Sequence, residues 1–167
     1  MPTSIIVISD THLHKWSEVH PEIRKAVSEA DIAVHCGDFV REDVLRGFRT
    51  EAKQSVVVHG NTDPPEMRRN IPYVEILSVE QVKIGITHPA WGGPEFPPED
   101  LISDFEENVD VIVFGHLHET LNEIIGDILY VKPGQAYSSF MVAATIAKIY
   151  VDSDQVSAEI VTIVPAH

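Results

Sequence analysis

Hydrophobic positions in the first sixty residues fall into short continuous runs separated by amphipathic stretches. "SIIVIS" (4–9), "DIAVHCGD" (31–38) and "SVVVHGN" (55–61) are β-branched runs bounded by polar residues. Runs of this length without alternation read as strands covered on both faces, the pattern of parallel pairing. Between them, "HPEIRKAVSEA" (20–30) and "REDVLRGFRTEA" (41–52) carry apolar residues at helical spacing, with Pro21 near a helix start. Strand, helix, strand, helix, strand predicts parallel pairing with right-handed crossovers.

The later sequence changes character. "YVEILSVEQVKIGITH" (73–88) reads as two strands around a tight turn, and "PPEDLISDFEEN" (97–108) as one amphipathic helix. "DVIVFGH" (110–116) is another buried strand, and "TLNEIIGDILYVKPG" (120–134) is a hairpin turning at Gly126-Asp127. Residues 140–164 give two long strands with a turn near Asp152–Asp154. No repeat, low-complexity run or linker interrupts the chain. The expected fold class is α/β, one domain over residues 1–167, with two packed sheets and helices outside.

Composition adds limits. With 167 residues, 44% of them hydrophobic and 23% charged, the chain has the proportions of a globular protein that buries a core without disulfides. Cys36 is the only cysteine, so no intrachain disulfide forms and a reducing compartment, the cytoplasm, is expected. Ile5–Ile8 is the only apolar run near the N-terminus and has no basic lead-in. It reads as neither a signal peptide nor a membrane span, which needs roughly 18 apolar residues. The net charge of −14 comes from 26 acidic against 12 basic side chains, and no basic cluster exceeds Arg68-Arg69. That balance argues against nucleic acid as a partner, because such binding neutralises phosphates with Lys and Arg. Nine histidines turn attention to cations instead.

The chemistry lies in where the polar residues fall. Asp10 and His12 follow the first strand, Asp38 the second, Asn61 the third, His88 a later strand, and His116 and His118 another. Carboxyl ends of parallel strands share one edge, where ligands bind. Seven N/O ligands on that edge are too many for one tetrahedral zinc and suit two divalent ions bridged by a carboxylate. Gly37, Gly60 and Gly115 are placed to turn the backbone beside them. If the chain is still extended past Phe114, a period of two puts His116 and His118 on one side. Each residue taken alone has a plainer reading: Asp10 or Asp38 as helix caps, Asn61 in a turn, the histidines as satisfied or exposed side chains. It is their joint placement at strand ends that the plainer readings do not explain.

"SDTH … GD … GNTD … THP … GHLH", in this order, resembles the signature of the calcineurin-like metallophosphoesterase superfamily. Size and the late "PGQ" look like its compact bacterial and archaeal phosphodiesterase branch, related to the retromer's vacuolar-sorting subunit. The resemblance covers about residues 4–140 and implies a two-sheet αββα sandwich of the metallo-dependent phosphatase type. It implies that Asp10, His12, Asp38 and His118 hold one metal, and Asp38, Asn61, His88 and His116 a second, with Asp38 shared. A bridging hydroxide would then attack a small phosphoester in line. The donor set favours Mn²⁺, with Fe, Zn²⁺ or Ni²⁺ as alternatives, over Ca²⁺ or Mg²⁺. A homodimer is the family's further implication.

The chain departs from the pattern at three places. Thr87-His88-Pro89-Ala90 lacks the second histidine of T-H-G-H, and Lys132-Pro133-Gly134-Gln135 replaces Asn-Pro-Gly-Ser. Thr62 stands where larger phosphatases carry a histidine that assists the leaving group, which argues against efficient hydrolysis of unactivated monoesters. Weaker candidates are His14 for the leaving group, His35 and His59 for orienting ligands, and Lys132 for a phosphate oxygen. Trp91 and Phe96, in a Pro- and Gly-rich loop, either wall a substrate pocket or anchor the loop. His20 and His167 read as surface residues. The competing function is a scaffold on the same fold that has lost catalysis.

Overall fold

A computed structural model describes residues 2–90 and 96–167. The first half alternates as the periodicity predicts: β1 (Thr3–Ile8), α1 (Pro21–Glu29), β2 (Ile32–His35), α2 (Glu42–Glu51) and β3 (Ser55–Val57). A short helix, α3 (Pro65–Asn70), follows, and then β4 (Val74–Val79), β5 (Val82–Thr87), β6 (Val111–Phe114), β7 (Thr120–Ile125), β8 (Ile128–Pro133), β9 (Ala144–Asp152) and β10 (Gln155–Val164).

These strands form two five-stranded sheets, ordered β10-β9-β1-β2-β3 and β4-β5-β6-β8-β7. β1, β2 and β3 run parallel, with Ile5 opposite Ile32 and Val34 opposite Val56. β5, β6 and β8 are parallel in the second sheet. All three expected hairpins are antiparallel pairs: β4–β5, β7–β8 and β9–β10.

The apolar runs are continuous because both faces of the central strands are covered. Ile5, Val7, Ile32 and Val34 meet Ile84, Ile86, Val111 and Val113 of the other sheet in the core between the sheets. Ile6, Ile8 and Ala33 face the other way, onto Ile23 and Val27 of α1 and Val44 and Phe48 of α2. Each such buried aliphatic or aromatic side chain contributes about 1.5–3 kcal/mol. α1 begins at Pro21, capped by His20, whose Nδ1 accepts the Glu22 N–H at 3.1 Å. His20 is therefore a half-buried cap rather than a free surface residue.

The outermost layer differs from the expected amphipathic helix over 97–108. Residues Pro98–Asp104 form a 3₁₀ helix that lays Leu101 and Phe105 onto Ile112, Phe114 and Tyr130. Two consecutive prolines, Pro97 and Pro98, start the segment, which covers seven residues. The core thus receives the predicted apolar residues through a different helix. Among the described residues no helix is long and apolar enough to cross a membrane.

Candidate metal centre

The candidate side chains hang from loops that begin where strands stop. β1 ends at Ile8, β2 at His35, β3 at Val57, β5 at Thr87 and β6 at Phe114. Left-handed backbone then turns the ligands inward: Asp10 has φ +54°, His12 +46°, Asp38 +64°, His116 +94° and His118 +61°. Such conformations cost a non-glycine residue about 1–2 kcal/mol and persist only where the surroundings impose them. Residues 115–118 are accordingly not extended. His116 and His118 are brought to the site by two turned residues rather than by strand periodicity.

The glycines act in two ways. Gly37 needs its freedom, at φ +101°. Gly60 and Gly115 are required for room: a Cβ at 60 would overlap the Asp38 carboxylate, and one at 115 would press on Ser9 Oγ and Asp10 Oδ2. Of the three, Gly37 alone has a positive φ, while Gly60 opens a turn closed by the Asp63 N–H on its carbonyl at 3.4 Å.

Hydrogen bonds tie the loops at this edge to one another, within a sheet and across the two sheets. The Asp10 N–H donates to the Gly37 carbonyl at 3.0 Å, and the His116 N–H to Asp10 Oδ2 at 3.1 Å. That leaves Asp10 Oδ1 facing His118 Nε2 at 3.4 Å and His12 Nε2 at 3.8 Å. Asp38 divides its carboxylate in the same way. Its Oδ1 accepts the Thr62 N–H at 3.0 Å, while Oδ2 lies 3.3 Å from His12 Nε2 and 3.3 Å from His88 Nε2. Neither aspartate caps a helix; the residues at those positions are His20 and Arg41.

His88 reports what the site requires. Its Nδ1 is 2.7 Å from the Cys36 carbonyl, which only accepts, so Nδ1 carries a hydrogen. Its Nε2 then faces two oxygens, Asn61 Oδ1 at 3.0 Å and Asp38 Oδ2 at 3.3 Å. His116 Nδ1 approaches the same Asn61 oxygen at 3.2 Å. Two oxygens converging on one imidazole nitrogen call for a positive charge there, a proton in the metal-free fold or a cation in its place.

The titration shifts have the same origin. Burial lowers the His12 pKa, but the nearby carboxylates of Asp10 and Asp38 outweigh it and hold it at about 9. His88 is raised too, Asp38 again overcoming the burial penalty. Burial works against ionised Asp10 and Asp38, yet the imidazoles around them keep both carboxyls well below the usual range. His116 is shifted down by burial and by the neighbouring His88.

A divalent cation fits this arrangement. One ligand atom each from Asp10, His12, Asp38 and His118 falls within 4.8 Å of all the others. Asp10 Oδ1 and His12 Nε2 are buried without a hydrogen-bond partner, although both lie within ion-pair range of opposite groups. Orphaned polar atoms that converge but do not bond one another are what a cluster of metal ligands presents when described without its ion.

The known proteins the chain matches are phosphoesterases and proteins of the same fold. The family model described as the calcineurin-like phosphoesterase superfamily domain matches residues 4–154. The chain belongs to that superfamily. A probable metallophosphoesterase of Methanocaldococcus jannaschii is 32% identical over 162 residues, covering 94% of this chain and 80% of that protein. A phosphodiesterase of the same organism is 29% identical over 145 residues, 77% of this chain and 81% of that one. In fold, the chain is similar to Vps29 of Entamoeba histolytica, solved in complex with zinc: TM-score 0.76, 19% identity, 96% of this chain and 99% of that one.

This metallophosphoesterase brings all seven sequence-predicted positions to one edge, and places the weaker candidates unevenly. The His14 ring is exposed, and its backbone N–H is tied to Glu18. His59 Nδ1 is buried without a hydrogen-bond partner, its ring 5.9 Å from that of Tyr73. The Lys132 ammonium sits 5.8 Å over the Phe114 ring, its pKa lowered by burial. Phe96 packs 6.4 Å from Phe114, which matches loop anchoring, whereas Trp91 lies outside the described residues.

His35 does orient the site, through backbone rather than through a ligand side chain. Its Nδ1 accepts the Gly37 N–H at 3.0 Å, so its hydrogen is on Nε2, which donates to Thr11 Oγ1 at 3.3 Å. The Thr11 hydroxyl then donates to the Asp38 carbonyl at 3.3 Å. The ring stacks 3.6 Å from Phe39, and burial pushes its pKa down to about 3, so it stays neutral. Asp63, the last residue of the GNTD stretch, was not singled out in the sequence. It accepts the N–H groups of Gly60 at 2.7 Å, Val40 at 2.8 Å and Asp38 at 3.0 Å, and so locks two ligand loops together. The acidic end of GNTD was the available signal.

Proposed function

We propose that the chain is a dinuclear metal-dependent phosphodiesterase acting on a small phosphodiester. The observation that carries this reading is Asp38 Oδ2, flanked at 3.3 Å by His12 on one side and His88 on the other. One carboxylate oxygen between two imidazoles is placed to serve two ions. Asp10, His12 and His118 would complete one ligand set with Asp38, and Asn61, His88 and His116 the other. Mixed imidazole and oxygen donors suit Mn²⁺, Fe, Zn²⁺ or Ni²⁺. Such a pair, when bound, supplies Lewis acidity that offsets phosphoryl charge and acidifies water.

The chain's own residues supply the positioning. The Thr62 N–H holds Asp38 Oδ1 so that Oδ2 faces the shared position. The Cys36 carbonyl fixes the His88 tautomer with Nε2 toward the site. Thr62 has no acid to offer a leaving group, so substrates whose leaving group departs without protonation are favoured. The related phosphodiesterase of M. jannaschii supports diesters as the substrate class. A lone, fully buried Cys36 suits the reducing cytoplasm. Likeness in fold to Vps29 supports a second reading, a scaffold, against which the complete ligand set weighs.

Chelated protein given single metals, a chromogenic aryl phosphodiester and the matching monoester is the direct test. Metal-dependent cleavage, faster on the diester, is expected. No turnover with any of the four metals, despite stoichiometric uptake of two ions, would replace the enzyme with the scaffold.

A further inference from the structure

The segment between β8 and β9 carries two large apolar side chains open to water. Phe140 is 79% exposed and Met141 78%. They form the corner of a closed turn, in which Ser139 and Val142 exchange backbone hydrogen bonds at 2.8 and 3.2 Å. Met141 adopts φ +67°, a conformation disfavoured for any residue with a side chain. The turn is anchored from beneath: the buried Gln135 amide donates to Ser139 Oγ at 3.0 Å and to the Tyr137 carbonyl at 2.7 Å. A strained, anchored turn that lifts apolar groups into solvent has no use in the folding of the core.

A cavity of about 550 Å³ opens beside this turn, with Met141 and Val142 on one side and Thr120 and Thr162 on the other. It shares a wall with the metal centre, because His118 lines it while facing Asp10 Oδ1 at 3.4 Å. At the other end of the same loop, the Tyr137 ring stands edge-on to His12 at 6.0 Å, and the His12 and His118 rings are 5.1 Å apart. The loop therefore runs along the rim of the centre, from His12 to the far side of His118. No lysine or arginine lines the cavity, and Glu119 does.

We infer that this cavity, with Met141 on its wall and Phe140 beside it in the same turn, holds one organic arm of the substrate: a flat, uncharged group such as an aryl ring or nucleobase. The inference rests on the phosphodiesterase reading above. A phosphoryl group held at the Asp10–His118 side of the centre places an ester oxygen next to His118, where the cavity begins. The volume is that of a small-ligand pocket. Thioether and phenyl side chains favour aromatic partners by sulfur–ring and ring–ring contact. Glu119, in a chain of net charge −14, excludes an arm bearing further phosphates.

Non-hydrolysable phosphonates separate the two levels of the argument. Methylphosphonate reports phosphoryl binding alone; phenylphosphonate adds the arm. Calorimetric titration of the manganese-loaded protein should give phenylphosphonate an affinity about tenfold higher, as expected for burying one ring. In methionine-methyl NMR, phenylphosphonate should shift Met141 and leave buried Met67 in place. A Phe140→Ser/Met141→Ser variant should bring the two ligands within about twofold and leave methylphosphonate unchanged. Thr162→Trp, which obstructs the cavity without touching the turn, should cost phenylphosphonate a similar factor. Equal affinities in the wild type, or a preference that survives both variants, would overturn the inference while leaving the phosphodiesterase reading intact. Failure of methylphosphonate to bind would sink that reading and this inference with it. A dimer by light scattering that dissociates in the double variant would assign the turn to a second copy of this chain and also overturn it.

Discussion

The two ends of the strands put the same backbone conformation to different uses. At the far end, Glu80 (φ +52°) and Ser153 (φ +56°) adopt left-handed geometry in the turns of the β4–β5 and β9–β10 hairpins. Both are exposed, and the turn alone explains them. At the site end, the left-handed residues include Asp10, His12, Asp38, His116 and His118; both aspartates are buried, and Asp10 and His12 present orphaned polar atoms. Strain by itself is uninformative. Strain that gathers titratable groups which do not satisfy one another marks a place built for something else.

The largest test of that contrast is Asp38→Ala. Removing the shared oxygen should cut metal-dependent diester hydrolysis by about 10³-fold or more, as losing a principal electrostatic element does. Steady-state rates at saturating metal measure this, and a loss under tenfold would place the chemistry elsewhere. His35→Leu comes next. It breaks the Gly37–His35–Thr11–Asp38 chain without touching a ligand side chain, and metal affinity should fall by about 10–100-fold. A metal titration matching wild type would reduce His35 to packing against Phe39.

A third test uses pH. The His12 pKa in the metal-free fold, about 9, lies above its ordinary 6.5. The pairing with Asp10 and Asp38 therefore stabilises the metal-free protein fully below pH 6.5 and is lost as pH rises through about 9. A metal must displace that proton, so affinity should climb between those limits, by up to about tenfold per unit. Affinity that stays flat from neutral pH to 9 would contradict the assignment of His12. The smallest effect compares the two ends directly. Ser153→Gly and His116→Gly should each relieve about 1 kcal/mol of backbone strain in metal-free thermal unfolding. Ser153→Gly should leave metal binding alone, whereas His116→Gly should weaken it; equal behaviour of the two would dissolve the comparison.

Much of this was legible in the sequence, for identifiable reasons. Strands buried on both faces write continuous apolar runs, so β1, β2, β5 and β6 were visible. Their apparent lengths overran, as at Ser55–Asn61, because Val58 stays buried after pairing stops at Val57. α3 was hidden behind Pro64-Pro65, which punctuates like a loop but here opens a helix. The clustering of the candidate ligands was readable because each member follows an apolar run. The left-handed turn through residues 116–118 was not, since no glycine occupies those positions to announce it. Tyr137 and Met141 belong to a segment with no periodicity, and only the folded chain places them beside His12 and His118.

The central claim is that Asp38 is shared by two ions, and metal counting at saturation tests it most directly. Protein stripped by chelation and dialysed against excess Mn²⁺ would be assayed by elemental analysis against protein concentration. The account predicts two ions per chain for the wild type, one each for His12→Ala and Asn61→Ala, and none retained by Asp38→Ala. A single ion in the wild type, or two held by Asp38→Ala, would contradict it.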